Sequence, residues 1–186
     1  MVTKGLDFKN IGLVGVLNAD QMLYYPDFRA FERAYQLMAQ VSGRAGREDK
    51  EGRVILQSFV PEHPFLEKIS SFDYDCIANE ILEERQSSKL PPFVYQINIH
   101  AESLKQPLPE KVLMEISRSL NLNEDEFIGP KPELIEKRKN YFRWVLTLKS
   151  ENRKKIHALA NQVINMIDQS DYSKNVRIGI DVDQLN

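Results

Sequence analysis

The sequence predicts an α/β chain in two parts, a fragment of a parallel-stranded lobe followed by a separate α+β domain. Three observations predict it. Two near-continuous apolar runs, at residues 11–17 and 54–59, flank a stretch in which Phe31, Ala34, Tyr35, Met38 and Val41 recur at helical spacing. That is the pattern of strand, helix and strand with the strands buried in a parallel sheet. Leu90-Pro91-Pro92 then interrupts the chain, and past it period-two and helical patterns follow in the order β-α-β-β-α-β.

Taken in order, Gly5-Leu6-Asp7 precedes the first apolar run. Alone, such a Gly-x-Asp is most simply a turn; it also supplies a flexible backbone and a carboxylate acceptor. Asp27 caps a helix expected to begin near Phe28. That helix runs into Gln40-Val41-Ser42-Gly43-Arg44-Ala45-Gly46-Arg47, the most informative stretch of the chain. Two arginines three residues apart, each behind a glycine, suit the outer phosphates of a nucleotide. The guanidinium is planar, permanently charged and able to pair with phosphate oxygens, and Gly43 and Gly46 leave no side chain in a ligand's way. The plain alternative is a helix end with glycine caps and cations near the negative pole of its dipole.

Gly52 leads into the second strand, and strand, helix and strand make half of a RecA-like lobe, here residues 1–60. No G-x-x-x-x-G-K-[ST] phosphate loop occurs in the 186 residues. Because the chain opens inside a motif, it is expected to be a piece of a longer protein. Residues 61–92 read as a helical connector, the pattern being helical from Phe65 to about Lys89 with Ile77, Ile81 and Leu82 on one face.

Residues 93–186 form the second domain. Phe93, Tyr95, Ile97 and Ile99 alternate with Val94, Gln96, Asn98 and His100 in a half-buried strand. Val112, Leu113, Ile116 and Leu120 line a helix, and a short strand is expected around Phe127-Ile128. Phe142, Trp144, Leu146 and Leu148 alternate in a longer strand. Ile156, Leu159, Ala160, Val163 and Ile167 mark a second helix, and Val176, Ile178, Ile180 and Val182 a last strand. This order is the split βαβ, ferredoxin-like arrangement, a fold that says little about function.

The composition, 42% hydrophobic and 28% charged, is that of a soluble globular protein, and no apolar run is long enough to span a bilayer. Cys76 is the only cysteine, so neither a disulfide framework nor a cysteine metal site is available; a reducing cytoplasm fits. His63, His100 and His157 have no metal-ligand spacing. The net charge of −2 excludes a uniformly basic nucleic-acid binder. Charge is nevertheless uneven: Lys131, Lys137, Arg138, Lys139, Arg143, Lys149, Arg153, Lys154 and Lys155 face only Glu133, Glu136 and Glu151 in their stretch. Such an excess meets phosphates or an acidic peptide, or is simply a solvated surface.

Thr3-Lys4-Gly5-Leu6-Asp7-Phe8 and the 40–47 run resemble the fifth and sixth conserved motifs of superfamily 2 helicases. Between them, Leu17-Asn18-Ala19-Asp20 and Pro26-Asp27-Phe28-Arg29-Ala30-Phe31-Glu32-Arg33 resemble one family in particular, the PriA (primosomal protein N′) replication-restart helicases. The resemblance continues through Gln57-Ser58-Phe59-Val60-Pro61-Glu62-His63, Leu90-Pro91-Pro92-Phe93, Ile128-Gly129-Pro130-Lys131-Pro132, Tyr141-Phe142-Arg143-Trp144 and Ile180-Asp181-Val182-Asp183. It covers nearly the whole chain, with small departures at Ser42 and Gln184.

The resemblance implies the C-terminal portion of a cytoplasmic, nucleoid-associated bacterial ATP-dependent 3′-to-5′ DNA helicase that binds stalled forks and initiates primosome assembly. It implies ATP and Mg²⁺ in the full-length protein, and zinc in a module outside this chain. Forked and single-stranded DNA, the acidic tail of single-stranded DNA-binding protein and other primosome proteins are the implied partners, with no membrane. By the same likeness Arg44 and Arg47 contact the ATP phosphates and Gln40 supports them. Gly5 and Asp7 couple nucleotide to DNA, and Thr3 and Lys4 meet DNA phosphate. Arg153, with Lys154 and Lys155, receives the acidic tail. From the strand pattern, Trp144 is core, while Tyr141 and Arg143 on the opposite face are DNA-contact candidates. This piece alone is expected to lack ATPase activity. The rival reading is a non-catalytic interaction module carrying relic helicase motifs.

Overall fold

A computed structural model describes residues 12–42, 52–71 and 73–182. They fall into two compact units that part between Ser87 and Ser88. In the first, β1 (Leu13–Val16) pairs in parallel with β2 (Arg53–Leu56), with Leu13 opposite Arg53 and Val16 opposite Leu56. A short helix α1 (Asp20–Leu23) and the longer α2 (Ala30–Ser42) lie between the two strands in sequence. The chain then forms α3 (Pro64–Ser71) and α4 (Tyr74–Ser87). Leu23, Ala34, Met38, Phe65, Leu66, Ile69 and Ile77 share one buried cluster, against which Val16, Leu56 and Ile81 pack. The helices of the 61–92 stretch therefore contribute to the core of the first unit.

Three expectations for this unit need correction. The strands are only half-buried: Leu13 and Ile55 are each 57% exposed. Two strands give one face, through Val16 and Leu56, to the helices; no described element covers the other. The helical pattern from Phe65 to about Lys89 is divided between two helices. The first stops at Ser71, and the Asp73 carboxylate accepts a hydrogen bond from the Cys76 N–H (3.0 Å) to start another. Within α4, Ile77 and Ile81 face inward and Leu82, about 100° further round from Ile81, is exposed. Lastly, the expected Asp27 cap is present, its side chain accepting from Arg29 N (2.9 Å) and its carbonyl from Ala30 N (2.9 Å), but α2 itself begins at Ala30, two residues past Phe28.

The second unit holds β3 (Tyr95–Ser103), α5 (Leu108–Ser119), β4 (Phe127–Arg138), β5 (Tyr141–Ser150), α6 (Arg153–Asp168) and β6 (Arg177–Val182). Its sheet has the order β4-β5-β3-β6, every neighbouring pair antiparallel. Ile97, Ile99, Ala101, Leu146 and Leu148 from one face of the sheet pack with Val112, Leu113 and Ile116 of α5 and Ile156, Leu159 and Val163 of α6. Both helices thus cover the same face. Each fully buried Ile or Leu there contributes roughly 1.5–3 kcal/mol. Trp144 packs against this core, as expected from the alternation.

Two differences stand out. The strand begins at Tyr95, with Val94 buried and Phe93 and Tyr95 turned toward solvent. The short strand expected at Phe127-Ile128 is the first part of a twelve-residue β4. Its pairing with β5 slips twice, between Ile128 and Lys131 and between Pro132 and Lys137. Such bulges destroy period-two alternation, and Pro130 and Pro132 are tolerated because β4 is an edge strand.

Candidate functional site

Helix α2 buries Ala34, Met38 and Val41 and exposes Gln40 near its end at Ser42. The rest of the nucleotide candidates, Gly43, Arg44, Gly46, Arg47, Gly5 and Asp7, lie outside the described residues, as do Thr3 and Lys4. What is described is the scaffold that delivers them. Near its start α2 is pinned by Arg33 to Asp27 (2.9 Å) and by Glu32 to Arg85 of α4 (2.7 Å). Glu32 also accepts from Gln36 Nε2 (3.3 Å).

At the carboxyl ends of β1 and β2, where parallel sheets place their ligand-binding loops, two loops are tied together. Ala19 N donates to Gln57 O (2.8 Å). The Asp20 carboxylate accepts from Ser58 Oγ (2.8 Å) and Phe59 N (3.0 Å), and Ser58 Oγ accepts from Val60 N (3.0 Å). The Phe59 N–H, more than the Ser58 hydroxyl, holds the Asp20 carboxyl below its ordinary range. Asn18 turns the chain through the left-handed region (φ 58°). Phe59 itself stands 88% exposed on this fixed loop. Sequence reasoning missed the Asp20–Ser58 clamp; only the Asn-Ala-Asp turn after an apolar run hinted at it.

In the second unit the structure brings Tyr141 and Arg143 together at the hairpin end of β5, on the side of the sheet opposite the core. Arg143 Nη2 lies 2.6 Å from Glu133 and its Nε 3.9 Å from Glu102, so its charge is committed to two carboxylates. His100 Nδ1 meets the other oxygen of Glu133 (2.9 Å). Arg177 reaches Glu102 (3.4 Å) while its guanidinium sits 4.6 Å from the centre of the Tyr141 ring. Arg177, with its side chain 69% exposed, keeps its cation open to a ligand on this face. Sequence reasoning missed it, although pairing β6 with β3 places Arg177 directly opposite Glu102.

At the start of α6, Asn152 accepts hydrogen bonds from Lys154 N (2.8 Å) and Lys155 N (3.2 Å), satisfying two of the helix's unpaired donors. Arg153, Lys154 and Lys155 fall in this first turn, all exposed. Lys155 pairs with Glu126, and that contact is the main reason the Glu126 carboxyl lies below its ordinary range. Arg153 and Lys154 have no ion-pair partner among the described residues. Beside them Lys89, Val94, Asp125, Lys149 and Asn152 border a cleft of about 240 Å³. The basic excess of residues 131–155 is thus partly neutralised by carboxylates from elsewhere, Glu102 and Glu126.

Among the described residues no cluster of His, Cys, Asp or Glu could hold a metal ion, and no helix is long and apolar enough to cross a membrane. Residues 86–185 match the family described as the primosomal protein N C-terminal domain. Over 98% of its length the chain is 37% identical to the replication restart protein PriA of Haemophilus influenzae, covering 25% of that protein. Against the proteins of the same name from Bacillus subtilis and Synechocystis it is 32% identical over 98% and 100% of its length, covering 23% and 22% of theirs. The chain spans about a quarter of the length of the curated relatives it matches. It belongs to the PriA family of bacterial replication restart proteins, and residues 86–185 are its primosomal protein N C-terminal domain.

Proposed function

We propose that this chain works as the C-terminal part of an ATP-dependent 3′-to-5′ DNA helicase that binds stalled forks and initiates primosome assembly. The observation that carries the reading is the likeness, along 98% of the chain, to proteins named for replication restart. In this reading the first unit is part of a RecA-like lobe, supported by a parallel β1–β2 pair with α2 between its strands in sequence. The second unit is a ferredoxin-like domain, supported by the β4-β5-β3-β6 order with both helices on one face.

ATP with Mg²⁺ is the substrate. The sequence holds no phosphate loop, so another segment must cradle the phosphates while Arg44 and Arg47 approach from this lobe. An arginine on the γ-phosphate stabilises charge that grows in the transition state, and closing and reopening the lobes around nucleotide supplies the translocation stroke. Gln40, exposed at the end of α2, supports the arginines. Gly5 and Asp7 couple them to DNA, with Thr3 and Lys4 on the backbone phosphates.

In the second unit, Arg153 and Lys154 receive the acidic tail of single-stranded DNA-binding protein, with Lys155 held back by Glu126. Tyr141 and Arg177 contribute to DNA contact, and Arg143 joins them by exchanging Glu133 and Glu102 for phosphate. The test is Arg47→Ala in the full-length protein. DNA-stimulated ATP turnover should fall by roughly 10³–10⁵; near-normal turnover removes Arg47 from the mechanism.

A further inference from the structure

We infer that Arg85 is a positioning residue, a strut that fixes the arginine-motif helix α2 to α4 and so transmits movement of the motif to the segment entering the second unit. This rests on the motor reading above. Two polar or aromatic contacts tie α2 and its lead-in to α4. The Tyr74 ring lies 5.8 Å from that of Tyr35, and Arg85, about three turns further along α4, meets Glu32 and Phe28. Ile77 and Ile81, between Tyr74 and Arg85 in sequence, pack in the cluster that holds Ala34 and Met38.

The side chain of Arg85 is only 11% exposed. One terminal nitrogen is 2.7 Å from Glu32, the guanidinium carbon lies 5.0 Å from the centre of the Phe28 ring, and Nε is buried with no hydrogen-bond partner among the described residues. Burying a guanidinium with an unmet donor costs desolvation that a methionine of similar length avoids. Net stability therefore does not account for a charge here. Direction does. Apolar helix contacts let one helix slide or roll by a fraction of a turn, whereas a desolvated charge pair with a ring beneath it is lost by any such movement. Glu32 is further steadied from its own helix by Gln36.

The two helices lead to the two places that must communicate. Helix α2 ends at Ser42, and Gly43-Arg44-Ala45-Gly46-Arg47 follows in sequence. Helix α4 ends at Ser87, and the second unit begins at Ser88. The strut joins them inside the first unit.

The experiment uses the full-length protein and measures DNA-stimulated ATP turnover and base pairs unwound per ATP on a forked substrate. In Arg85→Met, turnover should stay within about two-fold of wild type while base pairs unwound per ATP fall about 5- to 150-fold, the span of typical couplings between sites. Glu32→Gln should reproduce the loss, and the exchange Glu32→Arg with Arg85→Glu should recover part of it. An unchanged ratio in Arg85→Met, beside an active wild type, overturns the strut and leaves the motor reading standing. A wild type without DNA-stimulated turnover overturns both. If Arg85→Met fails to fold by circular dichroism, Glu32→Gln and the exchanged pair decide: loss with recovery supports the strut, and wild-type coupling in Glu32→Gln refutes it.

Discussion

Replacing Gly129 with alanine should unfold the second unit early, and the size of the effect follows from two observations. Gly129 has a φ of 97°, in a region that side-chain-bearing residues rarely adopt. A Cβ there would stand 2.8 Å from the Val145 carbonyl oxygen and 2.9 Å from the Lys131 nitrogen. Both are backbone atoms of the β4–β5 ladder and cannot swing aside as a side-chain tip does. Backbone strain of this kind costs about 1–3 kcal/mol, and forcing an extra methyl into a filled site adds a similar amount. Partial relaxation of the bulge brings the expected loss to about 2–4 kcal/mol. The assay is equilibrium urea denaturation followed by the fluorescence of Trp144, the only tryptophan, which packs against the core of this unit. With an m-value of about 1–3 kcal/mol/M, the midpoint should fall by about 0.7–4 M. Gly179→Ala is the matched control, since nothing lies within 4 Å of a Cβ at that position; it should lose no more than about 0.5 kcal/mol. Equal midpoints for the two variants, or a loss below about 0.5 kcal/mol at Gly129, would refute the argument from backbone contact.

Two further outcomes are expected. Asn152→Ala removes the acceptor for Lys154 N and Lys155 N and should lower stability by about 1 kcal/mol, read on the same urea curves, with Asn152→Asp retaining most of it. Burial, aided by a hydrogen bond to Glu115, pushes the Tyr172 phenol up to about 12 from an ordinary 10.0. The stability linked to that shift is complete below pH 10.0 and drains away toward pH 12, because only the unfolded chain ionises in that window. Thermal melting temperatures should therefore fall less steeply above pH 10.0 in Tyr172→Phe than in the wild type; parallel curves would exclude the linkage.

What could be read from the sequence depended on regular spacing. Helices α5 and α6 and strand β5 carry unbroken apolar periods, so Leu113, Ile116, Leu146, Leu148, Ile156 and Val163 were identifiable as core. Strand β4 was nearly invisible beyond Ile128, since two register slips and two prolines erase its alternation. Leu82 misled because, one residue past Ile81, it stands about 100° further round α4, and the buried face of that helix is too narrow to reach it. Exposure of Leu13 and Ile55 was equally unreadable, for an apolar run carries no information about how many of its faces are covered. At the candidate site the cations themselves were legible, but their neutralisation was not. Arg143 meets Glu133 and Glu102, and Lys155 meets Glu126, through pairings set by tertiary register rather than by local sequence.

The irregularity of β4 also bears on how the protein behaves at high concentration. A twelve-residue strand at the rim of a sheet, with Leu134 64% and Ile135 56% exposed, would ordinarily template the addition of a foreign chain. Pro130 and Pro132 withhold two amide donors, and the slips in pairing bend what remains out of a flat line. An incoming strand therefore meets an interrupted row of donors and acceptors. The same feature that hides this element from pattern reading guards it against aggregation.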